Sequence, residues 1–274
     1  MYKYIAMIDW YWIMYNNLDI HKTADYIQKA LRAYKFQSDT KVSVKSVNDF
    51  VTSVDIDLQE ILFTKLPHIL DVPILSEESQ LSNGVSPETY WIIDPLDGTS
   101  NYISGLSYTA SSIALVHENH VIFGLVYDYY GQNFYYAGFG FGAFKNGIKL
   151  NSVRENVAKP SLIGVSTGLI KKYNFLDEYE LFNSINFRIL GSQALQLCLV
   201  AEGRLLGNLS VEAKIWDDAA GLLLIGETGG SYTSTALQQK SMYACMVSGT
   251  NLYSCAIGMQ SEAQKFEKIM EALS

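Results

Sequence analysis

The alternation of apolar and polar positions divides the chain into elements before any chemistry is considered. Ile20, Ala24, Ile27, Leu31 and Tyr34 recur at helical spacing, which predicts an amphipathic helix over about residues 19–35. Leu58, Ile61, Leu62 and Leu66 repeat the pattern up to Pro67, so a second helix is expected to begin near Asp55 and to carry that acid at its N-terminal end. Short apolar runs at 72–75 and 91–93 read as buried strands, each ending in acids. Runs at 112–117, 121–127 and 134–137 are β-rich and separated by polar or glycine-containing turns, and Lys145-Asn146-Gly147 is a further hairpin turn. This stretch reads as antiparallel. Beyond about residue 152, strands near 162–166 and 187–190 alternate with helices at 192–202 and 217–227, the signature of an α/β second half. A last helix is expected from Ser261, burying Ala263, Phe266, Met270 and Leu273.

No repeat or low-complexity linker separates the two halves. The expected organisation is an α+β subdomain over 18–151 and an α/β subdomain over 152–274 packed closely against it, preceded by an extension at 1–17. That extension is rich in Tyr, Trp, Ile and Met, but Asp9 interrupts it, it is too short to span a bilayer, and no small-residue cleavage site follows. It fits an extra packing segment, a partner-binding arm or a translation start placed too early at Met1.

Composition narrows the class. With 274 residues and 49% hydrophobic content the chain can bury a substantial core. A formal net charge of −8 argues against a nucleic-acid polymer as partner, because phosphate backbones repel such a surface; no membrane association is expected either. Cys198, Cys245 and Cys255 are odd in number and lie in apolar surroundings, as reduced core thiols do, which favours a cytoplasmic location. His21, His68, His117 and His120 form no metal-ligand pattern, and the last pair flanks a hairpin turn at Glu118-Asn119.

The candidate chemistry lies in Trp91-Ile92-Ile93-Asp94-Pro95-Leu96-Asp97-Gly98-Thr99-Ser100-Asn101. Pro95 lacks an amide hydrogen, so the sheet is expected to end there. A tight turn brings Asp94, Asp97 and the Leu96 carbonyl to one side, a set of hard oxygen ligands suited to Mg²⁺. Gly98 allows close backbone approach, and a helix opening at Thr99 would offer free amides to a phosphate. Alone, such a pair of acids also fits two residues that cap a turn. Leu75-Ser76-Glu77-Glu78-Ser79 and Trp216-Asp217-Asp218-Ala219-Ala220-Gly221 add further acids, each compatible with a loop acid or a helix cap.

Together with Lys45-Ser46-Val47-Asn48-Asp49-Phe50-Val51-Thr52-Ser53-Val54-Asp55, these blocks closely resemble the inositol monophosphatase family in order and spacing, from about residue 20 to the C-terminus. The resemblance implies a layered α-β-α-β-α sandwich of the sugar-phosphatase type and a homodimeric, lithium-sensitive phosphatase using two or three Mg²⁺ ions. It assigns Glu77, Asp94 and the Leu96 carbonyl to the first ion and Asp94, Asp97 and Asp217 to the second, with a weaker third ion near Glu77. Thr99 and Asp55 would activate the attacking water, and amides around Gly98, Thr99 and Ser100 would cradle the phosphate. Glu77 over Glu78, and Asp217 over Asp218, follows from the family pattern; by physics either member could serve. Lys45 reads as a source of positive charge or as an exposed helix-flanking lysine, and Asp49 as a structural acid.

The substrate pocket departs from the pattern. Inositol-selective members resembling this chain carry a glutamate seven residues before the Trp-Asp aspartate, where this chain has Ser210, and Gln193 replaces a small residue after Gly191-Ser192. Glu212 would point to the same strand face as Ser210 and could substitute only if the backbone shifts. The expectation is hydrolysis of inositol monophosphate or another small sugar or polyol phosphate. Alternatives are a fructose-1,6-bisphosphatase or 3′,5′-bisphosphate nucleotidase, which would need a second phosphate pocket from cations such as Arg188 or Arg204, and a non-catalytic regulatory partner protein.

Overall fold

Asp19 opens the first helix, α1 (Ile20–Arg32), by accepting from the amides of His21 and Lys22. Its buried face, Ile20, Ala24, Ile27 and Leu31, is the one the spacing predicts. The helix stops short of Tyr34, whose hydroxyl donates to Asp57 at 2.9 Å. A computed structural model describes residues 18–36, 40–46, 49–79, 85–151, 162–172 and 186–258. The extension at 1–17, the side chain of Asp49 and the helix expected from Ser261 lie outside the described residues.

An antiparallel hairpin, β1 (Val42–Ser46) and β2 (Asp49–Thr52), leads into α2 (Ser53–Lys65). The start is two residues earlier than expected because Thr52 caps the helix, and Asp55 closes a capping box by accepting from the Thr52 amide at 2.8 Å. Then follow β3 (Ile74–Ser76), β4 (Thr89–Asp97), the short α3 (Thr99–Ile103), β5 (Ala110–His117), β6 (His120–Asp128), β7 (Asn133–Gly138), β8 (Gly142–Lys145) and β9 (Ile148–Lys149). The seven strands form one sheet in sequence order, antiparallel except for β3 beside β4. The Glu118-Asn119 turn between β5 and β6 has positive φ at both residues, 44° and 66°.

The remainder comprises β10 (Leu162–Val165), α4 (Thr167–Lys172), β11 (Asn186–Arg188), α5 (Gln193–Ala201), β12 (Gly207–Ala213), α6 (Ile215–Glu227), β13 (Ser231–Ser234), α7 (Met242–Ser248) and β14 (Leu252–Ile257). These strands form a five-stranded mixed sheet in the order β11-β10-β12-β14-β13.

Period-two alternation along β4 sets the layering. Trp91 and Ile93 pack with Leu58, Leu62 and the α1 stripe, whereas Tyr90 and Ile92 belong to the core on the opposite face with Leu197 of α5 and Ala220 of α6. The five-stranded sheet packs on α5 and α6, and α4 packs on β12, so the expected α-β-α-β-α layering is what the chain adopts. Among the described residues no helix is long and apolar enough to cross a membrane.

Candidate active site

Pro95 does not end the sheet. β4 runs through it to Asp97, because Asp94 pairs with Ser112 and Asp97 with Ala110, so three steps along β4 match two along β5. This is a bulge, one of the few strand positions that accommodates proline. It also has a chemical consequence: regular alternation would send Asp94 and Asp97 to opposite faces, and the extra residue brings them to the same side. The N-terminus of α6 completes the group, with carboxylate oxygens of Asp94, Asp97 and Asp217 within 4.8 Å of one another.

Each acid is oriented by a backbone contact. Asp94 accepts from the Leu96 amide at 2.9 Å. Asp97 accepts from the Ser192 hydroxyl at 2.6 Å and the Ala194 amide at 2.7 Å, so the start of α5 holds it. Asp217 closes a capping box on α6 by accepting from the Lys214 amide at 2.7 Å. Its neighbour Asp218 is fully buried and turned away, accepting from the Gln193 side-chain amide at 2.7 Å and from the Tyr232 hydroxyl. The structure thus separates the Asp217-Asp218 pair that sequence alone leaves open.

Glu77 and Glu78 share the Lys45 ammonium, at 3.0 and 2.5 Å. Lys45 is exposed, as expected, but it lies on β1 and is ion-paired instead of flanking a helix. Burial pushes Glu78 up to about 7, with Lys45 pulling the other way.

Burial and mutual repulsion dominate the cluster. Asp94 is driven well above the ordinary carboxylate range by burial, then by the charges of Glu77, Asp97 and Asp217. Asp217 is raised in the same way, by burial and then by Asp97 and Glu77. Burial lifts Asp97 to about 6, against the hydrogen bonds from Ser192 and Ala194. Close, desolvated carboxylates of one sign are the donor set of a hard divalent cation, which relieves both penalties at once. The residues fit Mg²⁺ on that ground. A second group, Glu88, His117 and Glu118, also brings ligand atoms together, but both of its acids are exposed to water.

Beside the cluster, Gly98 adopts φ +86° and caps α3. A Cβ there would lie 3.0 Å from the Tyr108 carbonyl and 3.3 Å from that of Gly191, so the turn tolerates no side chain. Thr99 shares its hydroxyl proton between Asp55 (3.2 Å) and the Leu96 carbonyl (2.9 Å). Asp55 is raised by burial, which its bonds to Thr52 and Thr99 partly offset. Asn101 ties the turn to the second half of the chain, donating to the Tyr108 carbonyl at 2.9 Å and to that of Leu190 at 2.8 Å.

A cavity of about 470 Å³ opens from Asp97 and Asp217 and takes in Ser100, Gln193, Ser210 and Glu212. Gln193 has its amide engaged by Asp218 and Asn208. Neither Arg188 nor Arg204 lines this cavity: Arg188 donates to the Phe187 carbonyl and Arg204 pairs with Glu202. Among the described residues the cation that does line it is Lys171 on α4, which the sequence did not single out. Nor did it reveal the role of Ser192 toward Asp97; the sequence placed Ser192 as the first residue of a helix, and it is instead the N-cap of α5.

Layered sheets meeting at an acidic centre beside a glycine-capped turn form a site suited to a divalent cation and a phosphate, as phosphatases have. The chain belongs to the inositol monophosphatase family, which matches residues 16–271. Nus factor SuhB of Pasteurella multocida is 35% identical over 73% of this chain and 77% of its own length. Inositol-1-monophosphatase of Mesorhizobium japonicum is 35% identical over 69% of this chain and 74% of its own. A solved IMPase/NADP phosphatase complexed with Mg²⁺ and phosphate shares the fold, with a TM-score of 0.70 over 90% of each chain at 22% identity. The protein is accordingly a phosphoric monoester hydrolase.

Proposed function

We propose that the protein hydrolyses a small sugar or polyol phosphate in a Mg²⁺-dependent reaction, with inositol monophosphate the first candidate. The observation that carries this reading is the clustering of Asp94, Asp97 and Asp217, the last two of which line a cavity large enough for such an ester. Asp94, Asp97, Asp217, Glu77 and the Leu96 carbonyl would hold the cation. When bound, Mg²⁺ supplies positive charge to the phosphoryl oxygens and acidifies water. Thr99 and Asp55 orient the attacking water: the Thr99 proton is directed toward Asp55 and the Leu96 carbonyl, leaving a hydroxyl lone pair to accept from that water. The amides of Gly98, Thr99 and Ser100 hold the phosphate, and Asn101 keeps their turn against the second half of the molecule.

A second reading, a bisphosphate substrate, is favoured by one observation, the presence of Lys171 in the cavity wall. The name of the Pasteurella relative supports a further role as a partner-binding protein. The clustered metal ligands and the intact Thr99-Asp55 pair favour catalysis as the primary function.

The test is phosphate release from inositol, fructose, glycerol and nucleotide phosphates with Mg²⁺ or EDTA, beside Asp97→Asn and Lys171→Ala. Mg²⁺-dependent release, reduced at least about a hundredfold in Asp97→Asn, is expected. A loss in Lys171→Ala confined to bisphosphates would favour the second reading. No release from any ester by the folded protein would overturn the proposal.

A further inference from the structure

We infer that Asp218 is a positioning residue for the metal centre: through the side chain of Gln193 it fixes the turn that holds Asp97, and so ties Asp97 to the helix that presents Asp217. The inference rests on the reading of the acidic cluster as a Mg²⁺ site, and it assigns Gln193 to that scaffold instead of to the substrate.

Asp97 stands at the end of β4 and Asp217 in the first turn of α6, so a cation between them needs two separate elements held in register. The hold on Asp97 comes from three successive residues at the start of α5. The Ser192 hydroxyl and the Ala194 amide donate to it at 2.6 and 2.7 Å, and the Gln193 amide adds a third bond. The side chain of the middle residue is tethered at both ends of its own amide. Gln193 Nε2 donates to Asp218 Oδ1 at 2.7 Å, and Gln193 Oε1 accepts from Asn208 Nδ2 at 3.0 Å. Asn208 accepts in turn from Gln196 at 2.8 Å, and Gln196 accepts from the Leu190 amide at 3.0 Å, so the network grips both sides of the Gly191-Ser192 turn. Gln193 lines the cavity, yet both ends of its amide are bonded to protein.

Asp218 follows Asp217 directly on α6, so one helical turn carries a ligand and the anchor for the turn that holds another. Asp218 is fully buried, and its partners among the described residues are the neutral donors Gln193, Tyr232 and Ser254. A carboxylate in that position costs stability that an apolar residue of similar size does not. What it supplies is a charge-assisted hydrogen bond, roughly twice as strong as a neutral one, on the side chain that governs the turn around Asp97.

Isothermal titration of Mn²⁺ into the EDTA-treated full chain, without substrate, tests the assignment, with thermal melts alongside. Gln193→Met keeps the length of the side chain but removes both tethers, and is expected to raise the Mn²⁺ Kd about tenfold. Asp218→Ala should act in the same direction, and the double variant should bind no more weakly than the weaker single one, because both changes break one contact. Tyr232→Phe removes a bond to the other oxygen of Asp218 and leaves the Gln193 tether in place; it should lower the melting temperature with Mn²⁺ affinity unchanged. At saturating Mg²⁺, the KM of Gln193→Met for inositol 1-phosphate should match that of the wild type. Unchanged Mn²⁺ affinity in Gln193→Met with a raised KM would make Gln193 a substrate contact and overturn the inference. Mn²⁺ affinities that simply follow the melting temperatures, Tyr232→Phe included, would overturn it as well. Binding weakened in Gln193→Met but not in Tyr232→Phe would support it even if no ester were hydrolysed and the phosphatase reading failed. A wild type that binds no Mn²⁺ would refute both.

Discussion

Asp97 keeps its proton up to about 6, and Asp94 and Asp217 are likewise raised, because burial and neighbouring negative charge both penalise ionisation. The sign for stability follows from linkage. A carboxyl whose folded value lies above its ordinary value of 3.8 binds protons better in the folded state. Its contribution is fully present below that ordinary value and is lost as pH rises through about 6. In EDTA the melting temperature should therefore fall between pH 4 and pH 7, by roughly 5 °C, and Mg²⁺ should restore it at the upper end. A metal-free melting temperature that rises across this interval would show that these acids do not repel one another. The same residues mark the limit of the sequence. Its spacing leaves Asp217 and Asp218 interchangeable, since both follow Trp216 at a helix start; only packing shows that Asp218 is occupied by Gln193 and Tyr232.

Two strand bulges shape the site at the scale of elements. In β4 one extra residue turns Asp97 to the side of Asp94, and in β12 one extra residue separates Ser210 from Glu212. Between them, the Gly98 turn depends on a left-handed backbone and on the space beside the Tyr108 and Gly191 carbonyls. Gly98→Ala should cost about 1–3 kcal/mol in urea unfolding and lower kcat at least about tenfold; an unchanged kcat would show that the turn does not position the phosphate. Long periodic elements such as α1 and α6, and the run from β5 to β7, were legible because their buried faces repeat over many residues. The β1–β2 hairpin was not, since its strands are short and Val42 and Val44 are exposed. Pro95 misled for a physical reason: a missing amide hydrogen ends a regular ladder but is tolerated at a bulge.

Across the whole molecule, α6 joins the parts. It packs against the seven-stranded sheet, touches β13 and β14 of the five-stranded sheet, and presents Asp217 from its first turn. The site exists only when both halves of the chain are folded together, which is why the acids lie far apart in sequence and meet in space. The layered architecture was legible from the change from antiparallel runs to strand-helix alternation and from the family resemblance; Glu212 was legible only on condition of a backbone shift, and Lys171 in the cavity wall was not legible, because it depends on how α4 packs on β12. The most direct test of the account is isothermal titration of Mn²⁺ into the EDTA-treated full chain near pH 6, in two buffers that differ in protonation enthalpy, for the wild type and Asp217→Asn. The account predicts binding accompanied by proton release, weakened at least about tenfold in the variant. Equal Mn²⁺ affinity in the two proteins, with no proton released, would contradict it.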